Sequence, residues 1–168
     1  MKKLIGLFVL LVFAAAMSYA AENVTADGQA KAKIIQAATL THVTNAALDF
    51  GSLIKDADGG SSQLDPVASP TAHDTGLQRV TAVGVSSDHF TLAGLDSATT
   101  YNLSVQSPVT ITKSGGSETM SVAPTLSETQ IQNPAQATKD IYVGGTLTVG
   151  SDQAVGDYSG SYTVTLTY

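Results

Sequence analysis

The chain has 168 residues, with 8 basic and 14 acidic side chains, a formal net charge of −6 and no cysteine. The few lysines and arginines are scattered, so there is no basic patch to hold phosphates, and we do not expect binding to nucleic acid. The lack of cysteine excludes internal disulfides, thiolate metal ligands and a cysteine nucleophile.

The first twenty residues have the three-part layout of a secretory signal peptide. Two lysines precede an uncharged apolar stretch at residues 4–16, and the small residues Ser18 and Ala20 indicate cleavage after Ala20. The apolar stretch is about 13 residues long, whereas a transmembrane helix needs roughly 20. We therefore expect residues 1–20 to direct export, with no membrane span left after their removal.

Residues 21–36 are predicted to be an N-terminal extension with the pattern of a β-strand. Successive side chains on a strand point to opposite faces, and here apolar or small residues alternate with polar ones. The apolar face consists of Val24, Ala26, Gly28, Ala30, Ala32 and Ile34. Two interpretations remain open: this segment is the first strand of its own domain, or it is donated to the sheet of a neighbouring subunit.

Residues 37–168 are predicted to form one all-β domain, because glycine, proline, serine and threonine separate short alternating runs roughly every 8–12 residues. The Gly115–Gly116 pair predicts a hairpin turn, residues 125–139 a long loop, and the Gly144–Gly145 pair an interruption of a strand, such as a bulge. The candidate strands are residues 48–54, 77–85, 90–95, 101–105, 109–112, 120–122 and 141–149.

Residues 158–168 at the end of the chain have the most regular alternation. Tyrosine, glycine, valine and leucine occupy one set of positions, and serine and threonine occupy the other. Threonine, valine and tyrosine also favour strands. We predict a single strand, with Tyr162, Val164, Leu166 and Tyr168 on its apolar face.

Patterns that indicate catalysis or metal binding are weak. His42, His73 and His89 form no metal-binding spacing, so we interpret them as isolated surface or turn residues. His73 next to Asp74 is not accompanied by a nucleophile elbow. Residues 56–59 begin like a calcium loop but lack its later carboxylates, which favours a structural turn. We expect no enzyme activity, no cofactor and no metal.

Three stretches carry a resemblance to a known family: Leu48–Gly51, Val143–Val149 and Gly156–Tyr168. In this order, with a Phe-x-Leu-x-Gly element at residues 90–94, they resemble the bacterial domain of unknown function family 4402. That family is similar to spore coat protein U-like domains and to the pilins of archaic chaperone–usher pili. The resemblance covers about residues 28–168 of the sequence.

The resemblance implies an immunoglobulin-like antiparallel β-sandwich that lacks one strand. In such pilins a periplasmic chaperone holds the gap until the N-terminal strand of a neighbour completes the sheet. The sequence departs from the pilin pattern in two respects. Such domains usually carry cysteines, which this chain lacks, and many end with a penultimate aromatic residue, whereas here Tyr168 is the final residue.

We therefore expect a pilin-like structural subunit of a fimbrium-like fibre, secreted through the periplasm to the cell surface. It would form a homopolymer by donor-strand complementation, aided by a periplasmic chaperone and an outer-membrane usher. Residues 24–34 would be the donor strand. The closing residues Tyr162, Val164, Leu166 and Tyr168 would line the acceptor groove or pair with the chaperone. The alternative is a self-contained secreted β-sandwich that binds a carbohydrate or a surface partner.

Overall fold

The computed structural model describes residues 23–81 and 84–168. The expected signal peptide, residues 1–20, lies outside the described residues. The chain divides after residue 33 into two compact units, and Ile34–Tyr168 is the larger of them. In the described ranges, no helix has the length and apolar character needed to cross a membrane.

The described residues contain thirteen β-strands and no helix. In chain order the strands are β1 Thr39–His42, β2 Leu53–Lys55, β3 Gly60–Leu64, β4 Ala72–Thr75, β5 Leu77–Arg79, β6 Asp88–Ala93, β7 Tyr101–Val105, β8 Val109–Lys113, β9 Thr119–Leu126, β10 Gln130–Ile131, β11 Thr138–Val149, β12 Tyr158–Ser159 and β13 Val164–Thr167.

These strands form three sheets, in which every pair is antiparallel. The large sheet has the order β1-β6-β11-β9-β8-β12, with β3 added beside the second half of β11 and β4 beside β3. The small sheet has the order β10-β7-β13, and β2 pairs with β5 in a third sheet. The fold is therefore an all-β antiparallel sandwich of the immunoglobulin-like kind, as predicted.

Strand β11 connects two hydrophobic cores. Its first half contributes Ile141 to the first core, which lies between the large sheet and the small sheet. Its second half contributes Leu147 and Val149 to the second core, together with residues of β3 and β9. Full burial of one such side chain stabilises a fold by about 1.5–3 kcal/mol. The buried members of the first core are Leu92, Leu95, Tyr101, Leu103, Ile131 and Ile141.

Two glycines let β11 pass close to its neighbours between the two cores. A Cβ atom on Gly144 would lie 2.6 Å from the nitrogen of Pro66, and one on Gly145 would lie 2.8 Å from the carbonyl oxygen of Ala123. The ladder with β9 continues through both residues. The expected interruption of the strand is therefore wrong, because these glycines serve close backbone packing.

The closing segment, residues 158–168, is divided between two sheets rather than forming one strand. Strand β12 pairs with β8 and β13 pairs with β7, so the chain crosses from the large sheet to the small sheet in between. Gly160 permits this crossing, because a Cβ there would lie 2.8 Å from the carbonyl oxygen of Thr110. Burial still alternates along most of the segment: Tyr158, Tyr162, Val164 and Leu166 are half-buried, whereas the serines and threonines between them are exposed.

Residues 23–38 form no strand in this structure, and the predicted strand at 24–34 is therefore not observed. Val24 is 92% exposed and Ile34 is 96% exposed. Ordering a backbone costs about 1–2 kcal/mol per residue, and a face of alanine and glycine buries little apolar area in return. Such a segment becomes a strand only where a sheet edge supplies ladder hydrogen bonds.

Other differences from the sequence predictions occur at short polar strands. Strand β10 falls in the segment predicted as a long loop, and β1, β3 and β4 were not among the predicted strands. Strand β7 has the predicted bounds, and the β8–β9 hairpin turns at Gly115 with a φ of 70°. Strand β9 runs through Pro124. The ladder with β8 ends at Val122, so Pro124 removes no hydrogen-bond donor from that side of the strand.

Candidate functional site

Strands β1 and β13 are unpaired edges of two different sheets that border the same core. Among the residues that the structure describes, β1 pairs only with β6, and β13 pairs only with β7. Leu40 on β1 and the pair Val164 and Leu166 on β13 all pack against the buried residues of the first core. We call this region the open side: the part of the first core between β1 and β13, lined by Ala38, Leu40, Phe90, Val164 and Leu166.

The open side is only partly covered. Its lining side chains are half-buried, whereas Leu92 and Ile141 behind them are fully buried. Each bordering strand also presents backbone N–H and C=O groups along its unpaired edge. An additional β-strand placed here would receive ladder hydrogen bonds and would cover the half-buried side chains.

A buried carboxylate connects the two edges at one end of the open side. Asp88, the first residue of β6, is 6% exposed. Its Oδ1 lies 2.7 Å from Nε2 of His42, the last residue of β1, and its Oδ2 accepts a 2.6 Å hydrogen bond from the Tyr162 hydroxyl. The backbone N–H of His89 also donates to Oδ1 at 2.8 Å. The last residue of β1 is thereby linked through Asp88 to Tyr162, which lies just before β13.

The tyrosine of this cluster is a permanent hydrogen-bond donor at neutral pH. Burial raises the pKa of Tyr162 far above its ordinary value, and the hydrogen bond to Asp88 and the negative charge of Asp88 raise it further. Both carboxylate oxygens of Asp88 are occupied by hydrogen bonds. No buried polar side chain of the described residues lacks a partner. The geometry therefore favours a structural link between the two edges.

An aromatic pair lies at the other end of the open side. The rings of Tyr101 and Tyr168 are 5.4 Å apart at an angle of 50°. Tyr101 is fully buried and its hydroxyl accepts a hydrogen bond from the backbone N–H of Asp96, whereas Tyr168 is 59% exposed. An extended chain from Tyr162 to Tyr168 spans about 20 Å, so about six or seven residues of an added strand would fit along it.

The predicted acceptor residues are found around this region. Val164 and Leu166 lie on β13 and contact the first core, whereas Tyr162 precedes the strand and Tyr168 follows it. The proposed donor residues of segment 24–34 are exposed and belong to no strand. The sequence predictions missed Asp88. Asp88 could have been recognised because it has the same parity as Phe90 and Leu92 and so lies on the inward face of the strand. A charged group on that face requires hydrogen-bond partners.

The three histidines do not come together, but each has a carboxylate partner. Besides His42, His73 lies 3.2 Å from Asp65 and His89 lies 3.0 Å from Asp140. The sequence patterns did not reveal these carboxylate contacts. His73 and Asp74 do not form a pair, because Asp74 binds Arg79 instead. Within the described ranges, no group of three or more histidine, aspartate or glutamate residues could hold a metal ion.

The Asp56–Gly59 segment is a turn closed by its own first residue. The backbone N–H of Ala57 donates to Oδ1 of Asp56 at 2.7 Å, and the N–H of Gly59 donates to the backbone carbonyl of Asp56 at 3.2 Å. An aspartate that bonds its own backbone in this way is a common turn device. The arrangement agrees with the prediction of a structural turn.

A second ionic cluster stabilises the other end of the sandwich. Arg79 on β5 donates two hydrogen bonds to Asp74 on β4, at 2.9 and 2.7 Å. It also donates to the hydroxyl of the buried Ser62 at 2.7 Å and to the backbone carbonyl of Phe50. The hydrogen bonds from Arg79 hold the pKa of the Asp74 carboxyl below its ordinary value, with smaller contributions from Ser62 and from nearby positive charge.

The variant Asp74→Asn is expected to destabilise the domain by about 2 kcal/mol at pH 7, because it leaves a largely buried guanidinium without its counter-charge. The lowered pKa of Asp74 means that this stabilisation is present above the ordinary carboxyl pKa of 3.8 and is lost as the pH falls below it. Urea unfolding at several pH values should therefore show a full difference from wild type at neutral pH that shrinks below about pH 4. The exposed control Asp58→Asn should have little effect, and an equal loss in both variants would contradict the assignment.

Comparison with known proteins places the domain in a family. A comparison with curated proteins gave no significant match. The family model described as a domain of unknown function (DUF4402) matches residues 39–168. The match begins at β1 and ends at the last residue, so it includes both edges of the open side. The chain therefore belongs to the DUF4402 family.

Proposed function

We propose that the chain is an exported structural subunit of a fimbria-like surface fibre, assembled by β-strand exchange, and that it has no enzymatic activity. Residues 24–34 of one copy would occupy the open side of the next copy. The observation that carries this proposal is the pair of unpaired edges, β1 and β13, bordering one partly covered core. A periplasmic chaperone would cover the same region before assembly at an outer-membrane usher.

The proposed donor and the open side have compatible sizes and surfaces. The eleven residues of segment 24–34 would reach about 35 Å when extended, which exceeds the roughly 20 Å between Tyr162 and Tyr168. The apolar face of the donor consists mostly of alanine and glycine, which suits a shallow opening. Its hydrogen bonds to the two edges would supply most of the binding, since small side chains bury little area.

The alternative, a self-contained secreted binding module, predicts a different state for the mature chain. A self-contained sandwich stays monomeric and does not depend on the N-terminal segment of another copy. Strand exchange instead makes each subunit depend on a neighbour. The two proposals therefore differ in oligomeric state and in the effect of removing the segment.

The test is to produce residues 21–168 and residues 37–168 in a bacterial periplasm and to measure their size and thermal unfolding. We expect the longer form to give oligomers that resist SDS without heating. The shorter form should unfold at a lower temperature, and a peptide of residues 23–36 should restore its stability. A scrambled peptide of the same composition is the control, because it lacks the alternating apolar face.

Two results would overturn the proposal. One is a longer form that is a stable monomer at all concentrations tested. The other is a shorter form as stable as the longer one, since the segment would then complete no sheet. Either result would favour the self-contained module.

A further inference from the structure

A polar pocket lies at the edge of the small sheet opposite to the open side. It has a volume of about 510 Å³ and is formed by residues 128 and 130–136, which include β10, together with the first residues of β11 and Thr91 of β6. Since β10 and β13 are opposite edges of the small sheet, the pocket and the open side are separate surfaces. A strand inserted at the open side would therefore leave the pocket accessible.

Half of the residues that line the pocket carry neutral groups that can both donate and accept hydrogen bonds. The apolar part of the lining includes Ile131, which belongs to the first core, Pro134, which is buried, and Ala135. We call this feature the amide pocket, after its side-chain amides. Its neutral polar residues are Thr91, Gln130, Gln132, Asn133, Gln136 and Thr138.

The charged residues at the amide pocket already have partners. Lys139 and Glu128 form an ion pair at 2.6 Å. Asp140 lies 3.0 Å from Nε2 of His89 and accepts a 3.3 Å hydrogen bond from the hydroxyl of Thr91. An anionic ligand would meet two carboxylates, and a cationic ligand would compete with Lys139 and His89. The pocket therefore favours a ligand without net charge.

Two of the amides, those of Gln132 and Gln130, form a directed chain of hydrogen bonds that ends on β7. Gln132 donates to the side-chain carbonyl of Gln130, and Gln130 donates at 2.9 Å to the side-chain carbonyl of Asn102 on β7. Asn133 adopts a φ of 45°, in the left-handed region that asparagine tolerates better than most residues, and this shapes the loop. Groups ordered before binding lose less conformational entropy when a ligand arrives.

We infer that the amide pocket binds a neutral, hydroxyl-rich ligand, namely a saccharide unit of a glycan. A sugar hydroxyl both donates and accepts, as each side-chain amide does, so neighbouring hydroxyls can pair with one amide. An apolar ligand would cover these solvent-exposed amides without pairing them, which costs free energy. This inference holds whether or not the chain forms fibres.

The test is calorimetric titration of the mature chain, residues 21–168, with neutral oligosaccharides that end in glucose, galactose, mannose or N-acetylglucosamine. We expect at least one to bind with a dissociation constant on the order of 0.1–1 mM, typical of a ligand held mainly by hydrogen bonds. Loss of one amide in Gln132→Ala or Gln136→Ala should weaken that binding about three- to tenfold. The matched control Gln106→Ala changes an exposed glutamine outside the pocket and should bind as wild type.

Three outcomes would overturn the inference. The first is that none of the neutral oligosaccharides binds. The second is that one binds but keeps its affinity in Gln132→Ala and Gln136→Ala, while both variants retain the wild-type unfolding temperature. The third is that acidic saccharides or a pool of short peptides bind more tightly than every neutral glycan. A fibre assay has no bearing on these outcomes, so failure here is distinct from failure of the fibre proposal.

Discussion

Replacing Gly144 by alanine is expected to destabilise the domain by about 3 kcal/mol or more, which lies at the upper end for point substitutions. The added Cβ would lie 2.6 Å from the nitrogen of Pro66 and 2.7 Å from the carbonyl carbon of Asp65. Both atoms belong to the backbone and cannot rotate away as a side chain can. The strand would have to separate from its neighbours between the two cores.

The matched control is Gly150→Ala, directly after the end of β11, where a Cβ would meet nothing within 4 Å. Its free energy of unfolding should stay within about 1 kcal/mol of wild type. Chemical denaturation of both variants measures the difference. If Gly144→Ala lost no more stability than Gly150→Ala, the close approach between β11 and the segment at Asp65–Pro66 would be wrong.

The second large effect is expected on assembly rather than on folding. Ala30 belongs to the apolar face of the proposed donor segment and is exposed in this structure. In the assembled fibre its side chain would face the first core of a neighbour. A buried, unpaired carboxylate costs several kcal/mol, so Ala30→Asp should weaken assembly by about a thousandfold or more.

The control for Ala30→Asp is Gln29→Asp, which places the same charge one residue earlier, on the polar face of the segment. Both residues are exposed in this structure, so a difference between the two variants reports association with a neighbouring copy rather than packing within their own chain. Sedimentation of the two mature proteins at equal concentration provides the readout. If both variants assembled as well as wild type, the assignment of Ala30 to the buried face would be wrong. If both lost assembly to the same extent, the added charge itself, rather than its burial in a neighbour, would be preventing association.

Alternation along the chain predicted which side chains turn inward, because that property is local. In the closing segment, Val164 and Leu166 face the first core, as the alternation predicted. The pattern could not reveal that residues 158–168 serve two sheets, since side-chain parity is the same whichever sheet a strand joins. That division depends on pairing with β8 and β7, which are distant partners.

Short strands and polar contacts were the least predictable parts. Strand β1 reads Thr-Leu-Thr-His and carries one apolar residue, so only its pairing with β6 defines it. The contacts of Asp88 likewise depend on residues 46 and 74 positions away in the sequence. For segment 24–34 the pattern predicted a strand, but a strand requires a sheet edge, and no described strand of this chain pairs with it.

Hydrogen exchange of β13 tests strand exchange most directly. Half of the backbone amides of residues 164–167 point away from β7. These amides should exchange slowly in the oligomers of residues 21–168, where a donor strand accepts their hydrogen bonds, and quickly in the truncated form, residues 37–168, where that partner is missing. Strand β11, which lies between partners on both sides, should be protected in both forms while the fold persists. Equal protection of β13 in the oligomer and the truncated form, or full protection in a monomeric mature chain, would contradict the account.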